Sequence, residues 1–197
     1  MKLWHQISYS LGLLSGTSDE ELMSLVKGSN HQGAFRALFE RHHYAVYLRL
    51  IRMGCPSMIA QEIVQDVFLS VFRARETYKE ESAFRPWITV MARNRLIDLY
   101  RSRAIAYDLD LGNQDFIDET QEIEAHFIHK EKIEMLEASL ASLKLSEREL
   151  ITLWLDDFSY EEMSNIVGKS ISAVKFALHH AKKNLIKIAQ NGVSDEK

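Results

Sequence analysis

Glu62, Gln65, Asp66 and Leu69 recur at helical spacing, which gathers them along one ridge. Two carboxylates, an amide and a leucine can grip a basic partner surface. No Lys or Arg falls between Pro56 and Val71 to neutralise them. A plain solvated face would more often carry a cation among its acids, although spacing alone leaves docking and solvation both open. From Arg73 to Arg103 the balance reverses, with eight Lys/Arg against four acids. Tyr78, Phe84, Trp87 and Tyr100 are interleaved with Lys79, Arg93, Asn94, Arg95, Asp98, Arg101 and Arg103. Cations mixed with planar rings suit single-stranded nucleic acid, the charges holding the backbone and the rings accepting unstacked bases. Trp87 would equally serve as the core plug of a small domain. A third stretch, Lys169 to Lys187, has five lysines and no acid, with His179 and His180 between them. Lys175, His179, Lys182 and Lys183 fall mainly outside its apolar stripe. Such a helix can lie in a major groove and neutralise phosphates; the alternative is a basic face that aids solubility.

Catalytic chemistry finds little support. The eight His include no HExxH run, and the chain has no P-loop, GxGxxG or GxSxG. Glu62 and Asp66 lack a convergent third partner for acid–base work. His126 and His129, near Glu122 and Glu131, offer at most weak opportunistic metal binding. The single Cys55 excludes a disulfide scaffold, a CxxC redox site and a Cys-based zinc site. No catalytic residue, metal or cofactor is expected.

The elements that must position these residues all read as helices. Two prolines and eight glycines in 197 residues, with 46% hydrophobic content, favour helical domains with real cores. Ser18 and Glu21 have capping-box spacing and open a short helix to about Lys27. Ala34, Phe35, Leu38, Phe39, Ala45, Val46 and Leu50 predict a second near 31–52. Pro56 opens a third, whose wide stripe runs from Ile59 through Ile63, Val64, Val67 and Phe68 to Val71 and Phe72. Ser82 is the expected cap of a fourth that runs to about Arg103. A helix through 128–140, a Ser146–Glu149 capping box, a Ser159–Glu162 box ending at Gly168, and a long helix from about Ser170 follow. The short helix, the turn at Gly168 and the longer helix have helix-turn-helix form.

Charge divides the chain. Residues 17–103 carry thirteen Lys/Arg against ten acids, 104–131 one against eight, and 132–197 nine against ten. The middle segment, with Gly112 and Asn113 and no sustained period, reads as an acidic linker. It would either shield the basic faces or act as a simple spacer. The organisation is then an extension over 1–17, a domain over 18–103, a linker over 104–131, a helix-turn-helix domain over 132–190 and a tail over 191–197. The net charge of −4 places any nucleic-acid binding in local patches. Ile7–Leu14 is too short to span a membrane and lacks the flanks of a signal peptide, so a cytoplasmic protein is expected.

Several stretches resemble bacterial sigma factors of the extracytoplasmic-function group. Gly33-Ala34-Phe35 through Arg41 is similar to the opening of their region 2. Ala60-Gln61-Glu62-Ile63-Val64-Gln65-Asp66-Val67-Phe68-Leu69 resembles the signature that clasps the coiled coil of the polymerase largest subunit. Pro86-Trp87 through Asp98 resembles the run that, with the preceding loop, melts the −10 element and captures a flipped base. Ser159–Leu185 resembles region 4, which reads the −35 element. The resemblance covers 18–103 and 133–189. It implies an all-α, two-domain factor that bridges core polymerase, including its flap region, and promoter DNA, both duplex and single-stranded. An anti-sigma partner is implied too, with no insertion into the membrane. It places polymerase contact at Glu62, Gln65, Asp66 and Leu69, and −10 contact at Tyr78, Lys79, Phe84, Trp87, Arg93, Asn94, Arg95, Asp98, Arg101 and Arg103. It assigns −35 contact to Ser172, Ala173, Lys175, Phe176, His179, His180, Lys182 and Lys183.

The likeness has departures. Gln61 and Glu62 are mild ones. The recognition helix has Ala173-Val174-Lys175-Phe176-Ala177 where the family often has Thr-Val-Lys-Ser-Arg, losing a hydroxyl and an arginine. Phe176 and Ala177 could meet thymine methyls, or Phe176 could pack on a neighbouring element. Either way, a different or weaker −35 preference is expected. The segment 141–145 lacks the customary Leu-Pro, leaving helix entry less constrained. Two other readings compete: a dimeric helix-turn-helix regulator that binds operator DNA unaided, and a sigma-like adaptor without promoter contact.

Overall fold

The computed structural model describes residues 16–29, 31–79, 83–109 and 139–194. Among them, all regular structure is helical. The helices are α1 (Asp19–Ser29), α2 (Gln32–Arg52), α3 (Ser57–Arg73), α4 (Phe84–Leu109), α5 (Leu145–Leu155), α6 (Tyr160–Val167) and α7 (Ile171–Ser194). A single 3-10 turn, Arg75–Thr77, follows α3. Ile7–Leu14, Ser82, His126, His129 and nearly all of the helix expected through 128–140 lie outside the described residues. Two compact units result: Met1–Leu48 with Met58–Leu109, and Arg49–Ser57 with Asp110–Lys197.

In the first unit, α1 opens as its capping box requires. The Ser18 amide donates to the Glu21 carboxylate at 2.9 Å, and the Glu21 amide donates to Ser18 Oγ at 3.2 Å. Eleven residues are too few for a stable isolated helix. Burial holds it: Leu22, Met23 and Val26 are fully enclosed, each side chain contributing about 1.5–3 kcal/mol. The stripe of α3 is buried at Ile63, Val64, Val67, Phe68 and Val71, while Ile59 and Phe72 are only half-buried. Phe68 meets Phe35 and Phe39 of α2 edge-on, with centroids at 6.3 and 4.8 Å. This turns the opposite side of α3 outward.

α4 runs to Leu109, further than the expected end near Arg103, so the first residues assigned to the linker continue the helix. Its N-terminus is closed from outside: Glu20 of α1 accepts the Phe84 amide at 2.9 Å. That carboxylate satisfies one of the four amides a helix start leaves unpaired and meets the positive end of its dipole.

In the second unit, Leu150, Ile151, Leu153, Met163, Ile166, Val174, Leu178 and Ala181 form the core that joins α5, α6 and α7. The entry to α5 differs from expectation. Lys144, not Ser146, is the N-cap, its amide donating to Glu147 at 3.3 Å. Glu149 is buried instead. Register against the apolar core decided between two acids offered by the sequence. The box on α6 forms as read, with Ser159 N–H to Glu162 at 2.8 Å and Glu162 N–H to Ser159 Oγ at 3.2 Å. Gly168 ends α6 at φ 67°, a left-handed conformation. Its amide and that of Lys169 both donate to the Ser164 carbonyl, at 2.9 and 3.2 Å, as a glycine-terminated helix end requires. Ser170 Oγ accepts the Ala173 amide at 3.3 Å to start α7.

Candidate polymerase and promoter interfaces

Glu62, Gln65 and Leu69 stand exposed on α3, with Asp66 half-exposed beside them. Leu69 leaves 52% of its surface open. Met58, 76% exposed, extends the same ridge by one turn. Sequence reading passed it over, although its i, i+4 step to Glu62 was a usable signal. Beside the ridge lies a groove of about 430 Å³ between α3 and α4. Ile59, Glu62 and Asp66 line one wall, and Arg95, Asp98 and Leu99 the other. Arg95 crosses it, donating Nε and Nη2 to one Asp66 oxygen at 3.1 and 2.7 Å. Apart from that guanidinium its charges are acidic, and Ile59, Ile63 and Leu99 add apolar lining, so it can accept a cationic, amphipathic element.

The Arg and aromatic segment separates into an inside and an outside. Tyr78 and Phe84 are buried. Trp87 is half-buried against both, with centroids at 4.9 and 6.0 Å. Tyr78 and Phe84 therefore support the surface rather than touch a ligand, and the core-plug reading of Trp87 accounts for one side of its ring. Lys79, Asn94, Arg95, Asp98 and Arg101 are exposed, and Arg93 is half-buried. Asp98 lies 4.0 Å from Arg101. The Arg103 side chain lies outside the described residues.

Two residues missed by sequence reading tie this segment to α1. Lys27 Nζ donates to the Tyr78 carbonyl at 3.1 Å, and Glu20 accepts the Phe84 amide. Separations of 51 and 64 residues carry no periodic signal that could have revealed them.

On α7, Val174, Leu178 and Ala181 are buried, and Leu185 and Ile188 half-buried. Ile171, expected in that stripe, is exposed. Ser172, Ala173, Lys175, Phe176, His179, His180 and Lys183 are exposed, and Lys182 half-buried. Lys182 Nζ sits 3.5 Å from the Trp154 ring centroid, and Lys175 Nζ 5.2 Å from that of Tyr160. Rings thus hold two of the cations by their faces. Phe176 is 69% exposed, so among the described residues it is not packed into a neighbouring element.

Residues 38–106 match the sigma-70 region 2 family and residues 133–185 the sigma-70, region 4 family. The chain is 31% identical over 134 residues to the ECF RNA polymerase sigma factor SigF of Caulobacter vibrioides, covering 67% of this chain and 71% of that protein. It belongs to the sigma-70 family, extracytoplasmic-function type. It is also 25% identical over 183 residues to the RNA polymerase sigma factor NccH of Alcaligenes xylosoxydans xylosoxydans, covering 90% and 98%. The fold is similar to that of the sigma factor RpoE of Bartonella quintana, solved with the anti-sigma factor NepR. There the TM-score is 0.70 at 21% identity, covering 79% of this chain and 96% of that one. The protein is thus a transcription-initiation factor that binds core RNA polymerase and promoter DNA. The region 2 match begins at residue 38, so α1 of this sigma factor lies outside it, yet α1 supplies Glu20 and Lys27. No described helix is long and apolar enough to cross a membrane, and no cluster of metal-ligating side chains occurs among the described residues.

Proposed function

We propose that this sigma factor divides its work among three surfaces. Glu62, Gln65, Asp66 and Leu69 take the coiled coil of the polymerase largest subunit, with Met58 extending the contact. Lys79, Trp87, Arg93, Asn94, Asp98, Arg101 and Arg103 engage and open the −10 element, over a base of Tyr78 and Phe84. Arg95 lies at the border of these two sites. α7 reads the −35 duplex through Ser172, Ala173, Lys175, Phe176, His179 and His180, with Lys182 and Lys183 on phosphates. The observation that best supports this reading is the opposition of charge on two exposed helices. α3 carries no cation between Pro56 and Val71, and α7 carries no acid between Lys169 and Lys187.

The energetic logic is binding throughout. Unstacking a base costs a few kcal/mol, which a receptive pocket offsets. The chain contributes no catalytic group and acts in the cytoplasm with polymerase. By likeness to the RpoE–NepR complex, an anti-sigma protein is a partner. The functional domains are the one read as 18–103, which α4 carries on to Leu109, and 132–190, with the acidic remainder of 104–131 as the tether.

In vitro transcription from a genomic fragment library with purified core polymerase tests the reading. Gel shifts should show promoter binding only with core present. Tight binding by the free protein to paired half-sites would instead indicate a dimeric operator-binding regulator.

A further inference from the structure

Phe176 is the most exposed large apolar side chain among the described residues of the second unit. Its one ring partner is His180, a turn further along α7, at 4.5 Å between centroids. The His180 ring is itself met by His179 at 6.0 Å, edge to face. An aromatic ring is therefore propped from behind and open in front. Along its own helix the charge is of one sign: Lys175 is adjacent, and Lys182 and Lys183 lie one turn beyond His179. Ala173 and Ala177, one turn before and one residue after, keep the approach clear of bulk.

This surroundings select the ligand. An apolar protein partner would leave the five lysines without counter-charge, whereas a polyanion neutralises them. Within a DNA major groove, the one apolar feature of the base edges is the 5-methyl of thymine. We infer that Phe176, backed by His180, selects a thymine in the upstream duplex element by contact with its 5-methyl group. The inference rests on the −35 reading of α7 and adds what that helix recognises. It makes Phe176 a specificity determinant, with the flanking lysines supplying affinity that is indifferent to sequence.

The test uses the full chain with core polymerase. Promoters are first selected from a library randomised over the upstream element. Each thymine of the winning element is then replaced, one at a time, by deoxyuridine, which lacks only the methyl. Holoenzyme binding should fall about fourfold at one or two adjacent positions, the worth of one buried methyl. Phe176→Ala should lose a similar factor on thymine and no longer distinguish thymine from deoxyuridine. Phe176→Leu should retain part of the discrimination. The exposed position of Phe176 leaves the core intact, which an unchanged melting temperature verifies. If the wild type tolerates deoxyuridine at every position while still depending on the upstream element, the inference falls and the −35 reading stands. If no upstream sequence is enriched and Lys175→Ala with Lys183→Ala changes nothing, the reading itself falls. A Phe176→Ala defect in core binding without DNA would make the ring a protein contact and overturn the inference.

Discussion

Asp66 of α3 and Arg95 of α4 are joined across the groove, Nε and Nη2 of the guanidinium donating to one carboxylate oxygen at 3.1 and 2.7 Å. Sequence reading assigned them to different tasks, one to polymerase and one to promoter opening. Their pairing puts Arg95 at the border of the groove proposed to receive polymerase. Both side chains are about half exposed, so the pair contributes at most about 1 kcal/mol to stability. Asp66→Ala and Arg95→Ala should fold normally, with little change in melting temperature. Asp66→Ala and Glu62→Ala should each weaken core binding roughly fivefold or more, as central interface residues do. Arg95→Ala should alter core binding as well as promoter opening, and a double-mutant cycle with Asp66→Ala should show coupling. Independent effects of the two residues on core affinity would break this link.

Glu20 closes the N-terminus of α4 from another helix. Glu20→Ala should cost about 1 kcal/mol, the usual worth of a helix cap, and Glu20→Gln, which keeps an acceptor oxygen, should cost less. Thermal unfolding of both variants measures the difference. Equal losses would mean that side-chain packing, not the bond to the Phe84 amide, is what Glu20 supplies.

Asp19 gives the first unit an acid limit. Burial works to raise its carboxyl, but hydrogen bonds and charge from His42 and Arg41 outweigh that and hold it below its ordinary 3.8. A lowered folded value means that the unfolded chain binds the proton more readily. The stabilisation is therefore complete above the ordinary value and is lost as pH falls through the lowered one. Asp19→Asn should melt earlier than wild type at pH 7, and the gap should begin to narrow only below about pH 4. A gap of constant size down to pH 3 would show that the carboxylate charge is not responsible.

Gly168 permits the turn between α6 and α7 at φ 67°. A Cβ there would strike nothing within 4 Å, so the penalty of Gly168→Ala is conformational alone, about 1–2 kcal/mol. Gly168→Asn should recover part of it, since asparagine tolerates this backbone region. Chemical denaturation checks both, and transcription from −35-dependent promoters should fall in the same order.

Much of this protein was legible in its residues. Helix positions followed from apolar periodicity and from the Ser18–Glu21 and Ser159–Glu162 boxes, because these signals act within one turn of chain. The exposed ridge of α3 and the basic face of α7 were legible for the same reason: a helix with one buried stripe turns its remaining faces outward. Tertiary structure decided what depends on contacts between distant segments. It enclosed Tyr78 and Phe84, set Glu20 on the start of α4, chose Lys144 over Ser146 as a cap and paired Asp66 with Arg95. It also left Phe176 open rather than packed. Each of these outcomes turns on which surfaces meet when helices are brought together, and spacing along a single helix contains no information about that meeting.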